Sequence, residues 1–480
     1  MSEPLSDEPL SDEPLSDGVD LSRPRRIHLI GVGGSGMSAI AEILAGTGHR
    51  VSGSDLAVTI PLQRLVERGL VMHVGHDARQ IVDAEIVAVS TAIPPTNPEV
   101  VAAVEAGIPV LRRAELLTVI TAQWRTVAVA GTHGKTTTSA MLTACLIGAG
   151  LDPAFIVGGD LTDLGRGAAV GTGEVLVVEA DESDGTFVEL AAAAVLVTNV
   201  EPDHLEHYGG FPALEQAFVR FVEQCTGPSV ICLDDPGAAR LAARVGGHPV
   251  VTYGAVPDAD YRIVDPMPTP VGIAFTVQVG EDSYSIRLRQ PGMHNARNAT
   301  AAFAMAIALG AEAEAVAEAL SRFGGVGRRF EDRGSVGGIR LVDDYAHLPT
   351  EVASALDAAR SLGPDRVFAV FQPHRYSRTE QLWSTFGDAF VDADVLVVTG
   401  LYSAGERPRE GIGGHLIAEE VSRQHPDADV RYVESLDDVV EMLVSELRPG
   451  DLCITLGAGD LTHVPTRVLP LLAGRAASGV

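Results

Sequence analysis

The chain has almost no lysine. Of its 35 basic side chains only Lys135 is one, and all the others are arginine. Arginine serves a protein surface at least as well, so a lysine kept at one place answers a particular need. A compact ammonium on a flexible stem, which the planar guanidinium fork cannot mimic, is such a need. Cysteine is scarce too. Cys145, Cys225, Cys232 and Cys453 are scattered and lie mostly in apolar runs. That pattern excludes a disulfide framework and a zinc cluster, and it reads as reduced core thiols of a cytosolic protein. No uncharged apolar run reaches the ~18 residues of a membrane span. The acidic N-terminus lacks the basic-then-apolar order of a signal peptide. Positive charge is short overall: 64 acids face 35 bases, for a net charge of −29. This argues against a nucleic-acid or anionic-membrane partner, and any bound polyanion must be held by local cations, helix N-termini and metal.

What is present describes a soluble globular protein with ample core. The 480 residues are 46% hydrophobic and 21% charged, and the length predicts about three domains. Residues 1–22 run on a Leu-Ser-Asp-Glu-Pro repeat that ends at Leu15-Ser-Asp17. Regular proline and dense charge predict a disordered, solvated acidic tail.

A first domain is expected over 23–123. The apolar strand ending at Ile30 runs into Gly31-Val-Gly33-Gly34-Ser35-Gly36, and a helix follows. G-x-G-x-x-G between strand and helix is the diphosphate-binding turn of a Rossmann-like unit. Asp55 ends the second strand about twenty residues on, where an acid meets a ribose. Taken alone, this stretch points to a dinucleotide oxidoreductase. A further strand ends in Ser90-Thr91.

The second domain, expected over 124–326, opens on the stretch that contains the lone lysine. An apolar strand ends in Gly131-Thr132-His133-Gly134, followed by Lys135, Thr136, Thr137 and an apolar helix-forming run. The glycines let backbone N–H groups face an anion, the helix N-terminus adds positive potential, and Lys135 neutralises the outer phosphates. Thr136 stands where a hydroxyl reaches Mg²⁺. The loop is shorter than the usual form, with Val129 where the first glycine of G-x-x-x-x-G-K-[ST] falls. Two later strands end in acids, at Glu179 and at Glu201-Pro-Asp-His204. An acid downstream of a phosphate loop is a magnesium carboxylate, and His204 fits a second metal position. Period-two alternation over 261–290 predicts an antiparallel hairpin added to a parallel sheet. Asn295 and Asn298 share one helical face near the start of an alanine-rich helix; base contact and capping are both open, and spacing alone favours capping.

The third domain is expected over 327–480. Strands at 339–343, 366–371, 394–399 and 451–456 alternate with helices, a second doubly wound sheet. Polar clusters follow the strand ends: Tyr345 and His347, then His374, Arg375 and Arg378, then Tyr402 to Glu406. Arg375 and Arg378 suit bidentate capture of a carboxylate or phosphate. The fold class is therefore α/β: three domains on mostly parallel sheets with flanking helices, Rossmann-like, P-loop ATPase and Rossmann-like in order. Three ligand sites suit a three-substrate, ATP-driven joining reaction in which a carboxylate attacks the γ-phosphate and an amine displaces phosphate. Gly324-Gly-Val-Gly327 is the expected hinge.

Seven motifs now occur in order: Gly131-Thr-His-Gly-Lys-Thr-Thr137, Glu179-Ala-Asp-Glu-Ser-Asp184, Thr198-Asn-Val-Glu-Pro-Asp-His204, His294-Asn-Ala-Arg-Asn-Ala299, Gly327-Arg-Arg-Phe330, Asp343-Asp-Tyr345 and Gln372-Pro-His-Arg-Tyr376. With them the chain resembles the Mur ligases over everything after the tail. The resemblance implies ATP, UDP-N-acetylmuramate and a small neutral amino acid, L-alanine first, as substrates, with Mg²⁺ as cofactor, in peptidoglycan precursor synthesis. It implies Glu179 and His204 on one magnesium ion and Thr136 on another, and Asn295 and Arg328 at the nucleotide. The glycine turn with Asp55, Ser90 and Thr91 would hold UDP rather than NAD. Tyr345, His347, Arg375 and Arg378 would hold the amino acid and the muramyl carboxylate, with Lys135, His347, Arg375 and Arg378 carrying the chemistry. Glu406 and its small neighbours would leave little room for a long side chain. The alternative is the family member that recycles whole murein peptides. Two departures stand out. Ala346 and Leu348 replace the glycine and second histidine often found after Asp-Asp-Tyr, and no lysine follows His204 for the carbamylation seen in sister ligases.

Overall fold

A computed structural model describes residues 19–478. The acidic repeat, which ends at Asp17, therefore lies outside the described residues. The folded chain begins before Arg23, because Leu21 is buried in the first core with Val19 packed against it.

Three sheets organise the chain. The first has five parallel strands in the spatial order Val71–Val74, Arg50–Asp55, Arg26–Ile30, Ile86–Val89, Val110–Arg112. Strand order reverses beside Arg26–Ile30, so the glycine turn leaves the sheet at its switch point, where such sheets open a crevice.

The second sheet has ten strands. Its centre is Arg125–Ala130, flanked by Val175–Glu179 on one side and Ala194–Val197 on the other, all parallel. That arrangement explains why both acid-bearing strand ends face the phosphate loop. One edge is antiparallel, but it is a three-stranded meander and not the expected single hairpin: Tyr261–Thr269, Gly272–Val279 and Asp282–Leu288. Alternation runs unbroken through Pro270-Val271, and a shift between Val264 and Met267 hides the extra turn from a period count. The hairpin of Ala154–Leu161 with Arg166–Ala169, at the other edge, is glycine-rich and leaves no such pattern.

The third sheet has six strands, parallel except for the edge strand Glu331–Val336. Its opposite edge is the short strand Asp429–Val433, in which charged and apolar residues alternate as on a half-buried edge. All four cysteines are buried and unpaired. Among the described residues no helix is long and apolar enough to cross a membrane.

The expected hinge is held by hydrogen bonds from its first residue to its last. Gly324 N–H donates to Asp163 Oδ2 (2.8 Å), Thr162 N–H to Gly325 O (3.0 Å) and Gly327 N–H to Asp160 O (3.0 Å). Val326 is buried. Gly325 within the stretch has φ 103°, and positive φ at Arg328 (60°) and Phe330 (47°) follows directly.

Candidate active site

The glycine turn of the first domain is folded by the end of the neighbouring strand. Ser54 O accepts from Gly31 N–H (2.8 Å) and Val32 N–H (3.1 Å), and Asp55 Oδ2 accepts from Gly33 N–H (2.8 Å). Asp55 thus uses one carboxylate oxygen to build the turn, and its other oxygen accepts from Ala57 N–H (3.3 Å). Ser90 backs the turn: a Cβ on Gly31 would stand 2.8 Å from Ser90 Cβ. Thr91 is exposed beside it. Ser35 and Gly36 open the helix Ser35–Gly46, with Gly34 preceding them, and line a cavity of about 930 Å³.

That cavity is shared by all three domains. Lys135, Thr136, Glu179 and His204 line it from the second, and Tyr345, His347, Arg375 and Arg378 from the third. Ser90 and Thr91 stand outside it.

The phosphate loop needs its glycines. Gly131 has φ +131°, and a Cβ there would fall 2.1 Å from Thr198 Oγ1; Gly134 has φ +78° and precedes the helix Lys135–Gly148. Neighbouring strand ends clasp the loop. Asn199 Oδ1 accepts from His133 N–H (2.8 Å), Asn199 Nδ2 donates to His133 O (3.0 Å), and Thr132 Oγ1 accepts from Glu201 N–H (2.9 Å). Lys135 Nζ donates to Gly131 O (2.6 Å) and to both oxygens of Glu182 (2.9 and 2.8 Å). Burial disfavours the ammonium, but the charge of Glu182 outweighs it, and Lys135 is held protonated above its usual range. Glu182 sits inside a motif named from sequence, but pairing with Lys135 is a tertiary result.

Thr136 Oγ1 donates to Glu179 Oε2 (3.2 Å), and Glu179 Oε1 accepts from Gly158 N–H (2.5 Å). Burial pushes the Glu179 carboxyl up against these partners. His204 has φ +51° and its Nε2 lies 3.4 Å from Asp203 Oδ2. Among the described residues no three His, Cys, Asp or Glu side chains converge as a protein-only metal cage. A hydroxyl and one half-buried carboxylate side by side do fit a small hard cation that takes its remaining ligands from phosphate and water.

A second cavity of about 300 Å³ adjoins the loop, lined by Thr137, Asp234, His294, Asn295, Arg297 and Asn298 among others. The asparagines are not caps. The helix starts at Met293, which makes Asn295 its third residue; Nδ2 donates to Pro291 O (2.8 Å) and both side chains are buried. Burial holds His294 down to about 4.

The two adjacent arginines, Arg328 and Arg329, both line the large cavity but turn to different partners. Arg328 turns into its own domain, donating to Gly457 O (2.9 Å) and Gly459 O (3.2 Å). Arg329 instead donates to Thr136 Oγ1 (3.2 Å) and lines both cavities. Both guanidinium carbons lie 4.8 Å from the Tyr345 ring centre, a cation–π arrangement. Spacing alone cannot choose between adjacent arginines.

In the third domain Arg375 N–H donates to Tyr402 O (2.8 Å), and the His374 ring stacks on Tyr402 at 5.7 Å. Burial lowers His347 and takes His374 down to about 4. Glu406 does not narrow the large cavity: its oxygens accept from Ser377 N–H (2.9 Å) and Ser377 Oγ (2.6 Å). Glu351, unremarked in the sequence, lines both cavities.

Fold and site define a three-domain phosphate-loop protein with one composite cavity. Family models match its parts in succession: Mur ligase family, catalytic domain, over 26–125; Mur ligase middle domain over 129–306; and Mur ligase, glutamate ligase domain, over 328–459. The chain belongs to the Mur ligase family. A UDP-N-acetylmuramate–L-alanine ligase of Myxococcus xanthus is 45% identical over 450 residues, 93% of this chain and 95% of the relative. The protein of the same name from Nitratidesulfovibrio vulgaris is 43% identical, over 93% of this chain and 98% of its own length. Among solved structures, UDP-N-acetylmuramate-alanine ligase from Thermotoga maritima matches with a TM-score of 0.79 and 29% identity, over 95% of this chain and 100% of the other. A murein peptide ligase from Psychrobacter arcticus shares the fold, with a TM-score of 0.68 at 24% identity, over 94% of this chain and 99% of the other.

Proposed function

We propose that this chain joins L-alanine to the carboxylate of UDP-N-acetylmuramate at the expense of ATP. The observation that carries the reading is the composite cavity, into which the three domains bring a glycine turn, a phosphate loop and two arginines. The relatives' shared name supplies the substrates.

In this reading the smaller cavity takes the adenosine, with Asn295 and Arg297 at its wall, and the triphosphate lies along Gly131–Thr137. Lys135 leaves Glu182 for the outer phosphates. Thr136 and Glu179, with His204 across the cavity, would hold Mg²⁺, and the ion would supply neutralisation of charge on the transferring phosphoryl group. Ser35 and Gly36 receive the UDP diphosphate at the helix N-terminus. The muramyl carboxylate attacks the γ-phosphorus, ADP leaves, and an acyl phosphate forms. Arg375 and Arg378 hold the amino-acid carboxylate, and His347, kept neutral by burial, takes a proton from the amine. Closure over the site keeps water from the acyl phosphate.

ADP release is measured with ATP, UDP-N-acetylmuramate and one amine at a time. L-Alanine is expected first, with glycine and L-serine weaker but active, since a pocket separates one methylene by only about 1–3 kcal/mol. Preference for the tripeptide L-Ala-γ-D-Glu-diaminopimelate would overturn the assignment. Glu179→Gln is expected to raise the Mg²⁺ concentration needed for half-maximal rate with little change in thermal unfolding. Superimposable magnesium titrations would remove Glu179 as a ligand.

A further inference from the structure

We infer that Glu351 is a positioning residue that sets His347 as the base for the incoming amine and ties that setting to the phosphate loop. The inference rests on the reading of His347 given above. Glu351 lies in the first turn of the helix Pro349–Ser361. Its Oε2 accepts from the backbone N–H of His347 (2.9 Å) and of Leu348 (3.2 Å), and stands 3.2 Å from His347 Nδ1. Tyr345 O is 3.1 Å from the same nitrogen. Two acceptors at Nδ1 place the ring proton there and leave Nε2 as the acceptor.

The other oxygen points across the domain boundary. Glu351 Oε1 lies 3.4 Å from His133 Nδ1 in the phosphate loop, an ionic contact without hydrogen-bond geometry. The neighbouring Thr350 hydroxyl is 3.0 Å from His133 Nε2 and donates to Glu201 Oε2 (3.2 Å). Four residues line both cavities: His133, Gly134, Arg329 and Glu351. Glu351 is the one carboxylate of the four. Its contacts to His347 lie within the third domain, and its contact to His133 is made across the boundary where that domain meets the loop, so one carboxylate touches both the base and the loop. In the step it supports, His347 Nε2 takes a proton from the alanine ammonium. The freed nitrogen bonds to the acyl carbon, the carbon–oxygen bond to phosphate breaks, and phosphate leaves with the electron pair and accepts the nitrogen's second surplus proton, so that an amide and hydrogen phosphate result. Arg329, Arg378 and His374 all face the resulting imidazolium, and Glu351 is the anion that offsets them.

The test uses the full chain and the variants Glu351→Gln, Glu351→Asp and His347→Asn. Alanine ligation is followed across pH 6–9, and acyl-phosphate formation is followed separately by trapping with hydroxylamine, which is already neutral at pH 7. Glu351→Gln is expected to lower kcat with alanine about tenfold or more. It should shift the acid limb of the kcat/KM profile and leave trapped flux and the KM for ATP unchanged, with partial recovery in Glu351→Asp. A parental rate and pH profile in Glu351→Gln, while His347→Asn loses ligation, would overturn the positioning role alone. Parental alanine kinetics in His347→Asn would overturn the base assignment beneath it. An equal fall in trapping and ligation without a pH shift would show that Glu351 only shapes the loop, and the proposal would fail. Should Glu351→Gln unfold, Glu351→Asp carries the same measurements.

Discussion

Lys135 is the residue most legible from sequence, because nothing else in the chain resembles it. Lys135→Arg keeps the charge but loses the compact ammonium that fits between Gly131 O and Glu182. A fall in turnover of about 10³-fold is expected, the scale of losing a contact to transition-state charge, with thermal unfolding close to the parent. Near-normal turnover would remove the lysine from the cradle. The arginine pair behaves oppositely. Two identical side chains at adjacent positions cannot be told apart by motif, and only the positive φ of Arg328 decides that Arg329 reaches Thr136. Arg329→Ala is therefore expected to raise the KM for ATP well above that of Arg328→Ala. The reverse order would contradict the geometry.

At the scale of elements, the phosphate loop and the alanine-rich helix Met293–Ala308 are fitted to each other. Gly134 sits in the left-handed region, and a Cβ there would come within 2.8 Å of Asn298 Oδ1. Gly134→Ala is expected to cost about 1–2 kcal/mol for the backbone conformation and to displace Asn298, weakening ATP binding along with stability. Chemical denaturation and ATP titration report the two effects, and a variant as stable and as tight as the parent would refute the fit. The glycines were readable, since strand, glycine turn and helix follow in sequence. Their partners were not, because Asn298 lies far along the chain from Gly134 and meets it only through the order of strands in the sheet. The same limit applies to the meander at 261–288, where a proline turn and a bulge hide a strand boundary inside an unbroken alternation.

At the scale of the whole molecule, His133 joins the second domain to the third. Burial opposes its charge, but the hydrogen bond to Glu201 and the negative charges of Glu351 and Glu201 win and raise it to about 10, from an ordinary 6.5. A raised pKa means protonation stabilises the folded, clasped state. That contribution is complete below pH 6.5, declines above it, and is gone once pH passes about 10. Thermal unfolding of the parent relative to His133→Asn is thus expected to show an advantage that shrinks between pH 6.5 and 10. An advantage constant over that interval would mean the ring is uncharged.

Sequence alone determined the order of domains, the class of each sheet and the segments that carry chemistry, because each is a local pattern: alternating strands and helices, a glycine turn, an acid or arginine after an apolar strand. The tertiary structure decided which of those side chains face one another. It turned Arg329 to Thr136, bound Asp55 into its own glycine turn, paired Glu182 with Lys135 and set Glu351 between His133 and His347. These are contacts between segments brought together by sheet order and domain seating, or choices of backbone angle at a single residue, and neither leaves a periodic trace in the chain.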